Sequence, residues 1–326
     1  MSSQAPDWCH TVWLGAAGTG TAFGILKSMR QRWGQDVRVV AADINPAHLV
    51  AATALAQAFE RVPLVTEEQF ISHLVEALAR HEVDTYVPIL DEEIVLAAEL
   101  RDAKTLPASL VTLAPSVDAA RLCLDKLAGG AWLIAHGIPT PATMLPSQAT
   151  WPPQGLILKP RYGRGSVGVR ILRGKSELTE AAACDDSVVA QELCRSPEVT
   201  IDAFRSRDRT LFRAVCRERL EVKAGVCTKA RVFEDDTLAD FAKTISDGLD
   251  LVGTFCMQLM RNWSDETWLV TDINPRPGAG TAMSMAVGVD FLSAMLADAW
   301  GLDPRPMLPR LERDCFVVRQ YSEYAF

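Results

Sequence analysis

Leu156-Ile157-Leu158-Lys159-Pro160-Arg161-Tyr162-Gly163-Arg164-Gly165-Ser166-Val167-Gly168-Val169 reads as two apolar strands around a loop of glycines, cations and a serine. Glycines let backbone N–H groups close over an anion with no Cβ in the way. Lys159 stands at the end of the first strand, where its ammonium can reach inward. An exposed hairpin is the plainer reading. It leaves unexplained why residues 159–173 carry five basic residues and no acid.

That charge is local. The 326-residue chain has a net charge of −8, while residues 205–231 hold nine basic and three acidic residues. An acidic chain is a poor general binder of nucleic acid or anionic membrane, so neither is expected as a partner. The two basic stretches are either solvated faces or the surroundings of a polyanionic ligand. The length suggests two domains, or three small ones, with a core large enough to fold without disulfides or metal. No apolar run reaches the roughly 18–20 residues of a membrane helix, and the N-terminus lacks a basic start followed by an apolar core. A cytoplasmic, soluble protein is expected. The eight cysteines include no C-x-x-C, and the five histidines show no ligand spacing. Zinc is therefore not expected, and the thiols read as reduced.

The organisation is strand–helix alternation first, then short strands. A strand over 11–14 leads into Gly15-Ala16-Ala17-Gly18-Thr19-Gly20 and a helix to Trp33. Residues 37–42 read as a buried parallel strand, 47–58 and 67–81 as helices, and 85–90 as another strand before a helix through Leu100. This predicts a doubly wound parallel-sheet domain over 1–115. A helical connector and hinge over 116–153 follows. A central subdomain is expected over 154–205, and a C-terminal α+β subdomain over 206–326. The predicted strands there are 156–159, 167–172, 188–193, 199–204, 211–218, 255–260 and 268–273. The predicted helices are 236–251 and 283–301. Gly15, Gly18 and Gly20 with Asp43 offer a near-match to a dinucleotide loop, which tight strand–helix packing explains equally well.

Thr271-Asp272-Ile273-Asn274-Pro275-Arg276 adds a second chemical signal. Residues i and i+2 of a strand share a face, so Asp272 and Asn274 point together. If 255–260 pairs antiparallel with 268–273 around a five-residue loop, Gln258 opposes Asp272 on that face. Such a patch of hard oxygen donors suits Mg²⁺. A polar sheet edge is the plainer alternative.

Taken in order with Leu124-Asp125-Lys126, Gly137-Ile138-Pro139-Thr140-Pro141, Gln191-Glu192-Leu193 and Glu198-Val199-Thr200-Ile201-Asp202, these segments resemble the ATP-grasp superfamily. Its carbamoyl-phosphate-synthase-like branch is the nearest, and the resemblance covers about 290 residues. It implies ATP held between two sheets with Mg²⁺ (or Mn²⁺). Lys126 and Lys159 match the lysines on phosphates and the adenine side; Gly163, Gly165, Ser166 and Gly168 match the mobile phosphate loop. Glu192 and Leu193 match the segment on the adenine edge, and Glu198 the acid near the ribose. Gln258, Asp272 and Asn274 match the metal positions, although the family often has Glu where Asp272 stands. Arg276 matches the arginine near the γ-phosphate. Of the basic stretch, Lys229 and Arg231 are expected to face triphosphate or substrate carboxylate, with the rest at the surface. Asp91 or Glu92 is a candidate for a substrate ammonium, and Gly278, Gly280 and Thr281 for a substrate carboxylate. The implied reaction is ligation of a small carboxylic acid or amino acid to an amine through an acyl phosphate, releasing ADP and phosphate. Activation of bicarbonate or carbamate, a non-catalytic ATP sensor and a nicotinamide enzyme are the alternatives. A homodimer is compatible with the sequence.

Overall fold

The computed structural model describes residues 9–163, 167–183 and 186–326. The first domain alternates β1 (His10–Leu14), α1 (Gly20–Trp33), β2 (Val37–Asp43), β3 (Ala58–Arg61), α2 (Phe70–Arg80), β4 (Thr85–Val87), α3 (Asp91–Asp102) and β5 (Val111–Thr112). Its strands form one parallel sheet in the order β3-β2-β1-β4-β5. The apolar runs in β1 and β2 are buried, as strands covered on both faces require. The helix expected over 47–58 is two 3₁₀ turns, Ala47–Leu49 and Ala51–Ala54, followed by edge strand β3. Short i→i+3 bonds, such as Leu49 N–H to Pro46 O and Val50 N–H to Ala47 O, close these turns.

The connector holds α4 (Val117–Leu124) and α5 (Lys126–Ala135), broken where the Asp125 carboxylate caps the Leu127 and Ala128 amides. Next come β6 (Thr143–Met144), β7 (Leu156–Pro160), β8 (Arg170–Ile171), α6 (Lys175–Ala182) and β9 (Val188–Glu192). They make a four-stranded antiparallel sheet, β6-β9-β7-β8. The strand expected over 167–172 is only two residues long, and both are exposed.

The last unit contains β10 (Arg195–Arg205), β11 (Phe212–Lys223), β12 (Val226–Phe233), α7 (Asp236–Gly248), β13 (Gly253–Arg261), β14 (Trp268–Asn274), α8 (Thr281–Ala286), α9 (Phe291–Ala299) and β15 (Cys315–Val318). Its sheet runs β14-β13-β10-β11-β12-β15. Strand β10 pairs with β11 and β13, so the expected boundary at 205/206 moves to the start of β10. The helix expected over 283–301 is two helices, because Gly288 takes φ +94° and the Asp290 carboxylate caps α9.

Alternation divides the large sheet's residues. Val199, Ile201, Met257 and Leu259 pack toward α7 through Leu238, Ala242 and Ile245. Thr200, Asp202, Cys256, Gln258 and Asp272 therefore share the other face. Helix α9 serves two cores at once. Leu292, Met295 and Leu296 pack on Val12, Leu14 and Val39 of the first sheet, while Phe291, Ala294 and Ala297 pack on Phe204, Val215 and Val232 of the last.

Candidate active site

Lys126, Lys159, Pro160, Gly163, Val167, Val169, Arg219, Gly225, Gln258 and Asp272 line one cleft between the four-stranded and six-stranded sheets. An adjoining cavity shares Lys126 and Asp272 and adds Asp125, Gln191 and Thr271. Gln258 does oppose Asp272, but by a different route from the expected five-residue loop. The turn spans 262–267 with Arg261 opposite Trp268, a register that would put Thr271 opposite Gln258. A β-bulge between Val270 and Asp272 absorbs Thr271 and restores the pairing.

Around Asp272 the polar groups are linked. Asn274 Nδ2 donates to Asp272 Oδ2 at 3.2 Å, and Arg276 Nη2 donates to Asn274 Oδ1 at 3.3 Å. Arg276 also grips Asp91 with both arms, Nε to Oδ1 at 2.5 Å and Nη2 to Oδ2 at 3.1 Å. Both side chains are about one-eighth exposed. The expectation that Asp91 awaits a substrate ammonium is thus corrected: its carboxylate orients Arg276. Burial opposes the Arg276 charge, but Asp91 overcomes it and raises the pKa. Glu92 sits half-buried in the first turn of α3. One carboxylate and two amide oxygens, from Asp272, Gln258 and Asn274, fit a hard dication whose other ligands are phosphate oxygens. Among the described residues no three His, Cys, Asp or Glu cluster as a self-sufficient metal cage.

The cationic wall comes from the opposite side. Lys159 Nζ donates to Gln191 Oε1 at 2.6 Å, and Lys126 Nζ to Gly163 O at 2.7 Å. Burial lowers the Lys159 pKa; nearby Asp272 opposes that shift and Lys126 adds to it. Asp125 fixes the start of the glycine loop by accepting from Arg161 at 2.9 and 2.6 Å and from Tyr162 at 3.2 Å. Burial pushes the Asp125 pKa up, but Arg161 and the two capped amides hold it below the usual carboxylate value. Gly168 takes φ +74°, and a Cβ there would stand 3.0 Å from Pro160. Gly165 and Ser166, expected on the phosphate loop, lie outside the described residues.

Glu192 N–H donates to Ala142 O and Leu193 N–H to Gly155 O, so both amides are engaged within the protein. Glu198 is paired with Arg219, which also donates to Gly225 O. Sequence reasoning left Arg219 at the surface; because it pairs with Ala230 in register, it projects into the cleft instead. Lys229 and Arg231 are corrected in the opposite sense. Lys229 binds Glu221, and Arg231 binds Glu218 and Asp314 and lies over the Phe233 ring. Phe233 belongs to the α7-side core, so both side chains lie on the face away from Asp272. The missed signal was β12 itself, whose alternation fixes the parity.

Gly278, Gly280 and Thr281 do not present a free anion site. Thr281 Oγ1 donates to Asp202 Oδ1 at 2.8 Å and accepts from Gly278 N–H. A Cβ on Gly280 would strike the Arg217 guanidinium at 2.3 Å. Arg217, also expected at the surface, is buried against Asp202, which Ser284 binds as well. In the first domain, Asp43 accepts from Gly18 N–H at 2.7 Å and from Asn45. It is therefore not free to hold a ribose, as a dinucleotide loop would require.

Two antiparallel sheets thus enclose a cleft of lysines with carboxylate and amide oxygens facing them, a charge pattern that suits a polyphosphate with a hard dication. Residues 123–280 match the ATP-grasp domain family, and residues 16–107 match the PylC-like N-terminal domain family. The chain belongs to the ATP-grasp superfamily of ATP-binding ligases. Among solved structures, N5-carboxyaminoimidazole synthetase from Staphylococcus aureus with ADP matches at TM-score 0.74 and 16% identity, covering 96% of this chain and 83% of that one. L-amino acid ligase from Bacillus licheniformis matches at 0.71 and 15%, covering 91% and 76%. The biotin carboxylase domain of Hydrogenobacter thermophilus 2-oxoglutarate carboxylase, bound to MgADP and bicarbonate, matches at 0.69 and 12%, covering 93% and 71%. A search of curated protein sequences finds no match. Among the described residues no helix is long and apolar enough to cross a membrane.

Proposed function

We propose that this chain is an ATP-dependent carboxylate–amine ligase that works through an acyl phosphate. The observation that carries the reading is the convergence of Lys126, Lys159, Arg219, Gln258 and Asp272 on one cleft, with Asp91-held Arg276 two residues beyond Asn274. Lys126 and Lys159 neutralise and align the triphosphate. The Glu192–Leu193 segment leads the chain past the adenine, with Cys194 N–H next in line, and Glu198 stands at the ribose. Arg276, already fixed by Asp91, steadies the transferring phosphoryl group and the carboxylate oxygen that attacks it. Mg²⁺ at Asp272, Gln258 and Asn274 would add charge neutralisation on the phosphate oxygens. An amine then displaces phosphate from the acyl phosphate. Phosphoryl transfer asks for positioning and charge more than for a protein nucleophile, and these residues provide both.

The test is product analysis across paired acids and amines. ADP and phosphate should form only when both partners are present. AMP and pyrophosphate as products would overturn the acyl-phosphate route. The MgADP-and-bicarbonate-bound structural relative supports a second reading, activation of bicarbonate. ATP hydrolysis stimulated by bicarbonate alone, with no acid required, would favour it.

A further inference from the structure

Arg217, Arg219 and Arg319 share the cleft-side face of the six-stranded sheet. Arg217 is neutralised by Asp202 and Arg219 by Glu198. The third is Arg319, just past β15. Its N–H donates to Thr228 O at 2.8 Å, extending the β12–β15 pairing by one residue. Along this strand Phe316 and Val318 are exposed, while Cys315, Val317 and Arg319 are partly covered. Parity therefore puts Arg319 on the same face as Ala230, which pairs with Arg219.

Among the described residues no carboxylate pairs with Arg319. Arg319 Nη2 donates to Ala279 O at 2.6 Å, and the ionisable groups around it are Arg217, Cys227 and Tyr321. Burial and then Arg217 depress its pKa, so its charge is held at a cost. Ala279 lies three residues after Arg276. A Cβ on Gly20, at the end of the first domain's glycine loop, would lie 3.8 Å from the Ala279 Cβ. The guanidinium thus sits where the first domain meets the segment leading from Arg276, on the sheet face that holds Asp272.

Resting on the ligase reading above, we propose that Arg319 binds a second, non-reacting carboxylate of the acid substrate. That substrate is a dicarboxylate or acidic amino acid with its reacting carboxyl toward Arg276. One guanidinium with no acidic partner among the described residues matches one carboxylate in charge and in bidentate geometry.

The test is calorimetric titration, in saturating MgADP, of succinate, glutarate, adipate and L-glutamate against the half-amides succinamate, glutaramate and adipamate and against L-glutamine. Wild type should prefer at least one dianion to its half-amide, and R319Q should lose about 10–100-fold of that preference. R319K should fall between, because an ammonium keeps the charge but not the fork. Unchanged MgADP affinity certifies that a variant is folded, and R319K decides the matter if R319Q does not fold. The proposal is overturned if wild type prefers no dianion, or if the variants keep the full preference. Failure of the ligase reading looks different: dianions bind, yet no acid and amine pair releases ADP.

Discussion

Lys159 keeps its ammonium under burial, donating to Gln191 with the Asp272 charge nearby, which is a costly state that a triphosphate would relieve. Lys159→Ala and Asp272→Ala should each lower ADP formation by about 10²–10³-fold or more while the circular dichroism spectrum is unchanged. Full activity in both variants would remove the site. The Lys159 shift also has a sign that can be checked. Between its lowered folded pKa and the ordinary lysine value of 10.5, the unfolded chain holds a proton that the empty folded protein does not. Stability of the nucleotide-free protein should therefore rise with pH across that window while ATP affinity falls, and Lys159→Gln should flatten both. Asp202→Ala should destabilise by about 3–5 kcal/mol in urea titration, since it strands the buried Arg217 charge. Lys159, Asp272 and Gln258 were legible because strand parity and spacing fix where they point. Lys229 and Arg231 were misread because their strand, β12, went unrecognised, so nothing fixed which face they took. Arg319 was invisible for the same reason, as it depends on β15.

At the scale of elements, what stood out in the sequence were apolar runs and punctuating prolines and glycines. β1, β2, α1, α7, β13 and β14 carry such signals and were found. β3, β5 and β6 are two to four residues long and gain their identity from a neighbour's hydrogen bonds rather than from their own pattern. The bulge at Thr271 was equally hidden, since turn length alone predicts the wrong register. Helix α9 shows how packing overrides a simple amphipathic reading: it is apolar on two sides because it touches two sheets. Phe291→Ala should cost about 3–5 kcal/mol, read from the urea midpoint, because its ring is fully buried against Phe204 and Val232.

Across the whole molecule, the order of parallel-sheet domain, connector and two antiparallel sheets was legible, while the division of strands between those sheets was not. β10 follows β9 with almost no linker, so only pairing tells which sheet owns it. MgADP at about 100 times its dissociation constant should add about 2.7 kcal/mol to stability, seen as a higher Tm. The four-stranded sheet is one uninterrupted stretch of chain, tied to the remainder by two crossings. On the entry side Pro139 and Thr140 are bonded to Val270, and on the exit side the Arg195 guanidinium is bonded to Asn262 O. Between these points Asp125 and Lys126 of the connector hold Arg161 and Gly163, so the module can swing like a door on a doorpost, with β14 as the post, only as that latch yields. Any such swing would alter the reach of Lys159 to Asp272 while leaving Arg276 and Asp91 still, so seizing the nucleotide and aiming the acid would be mechanically separate acts.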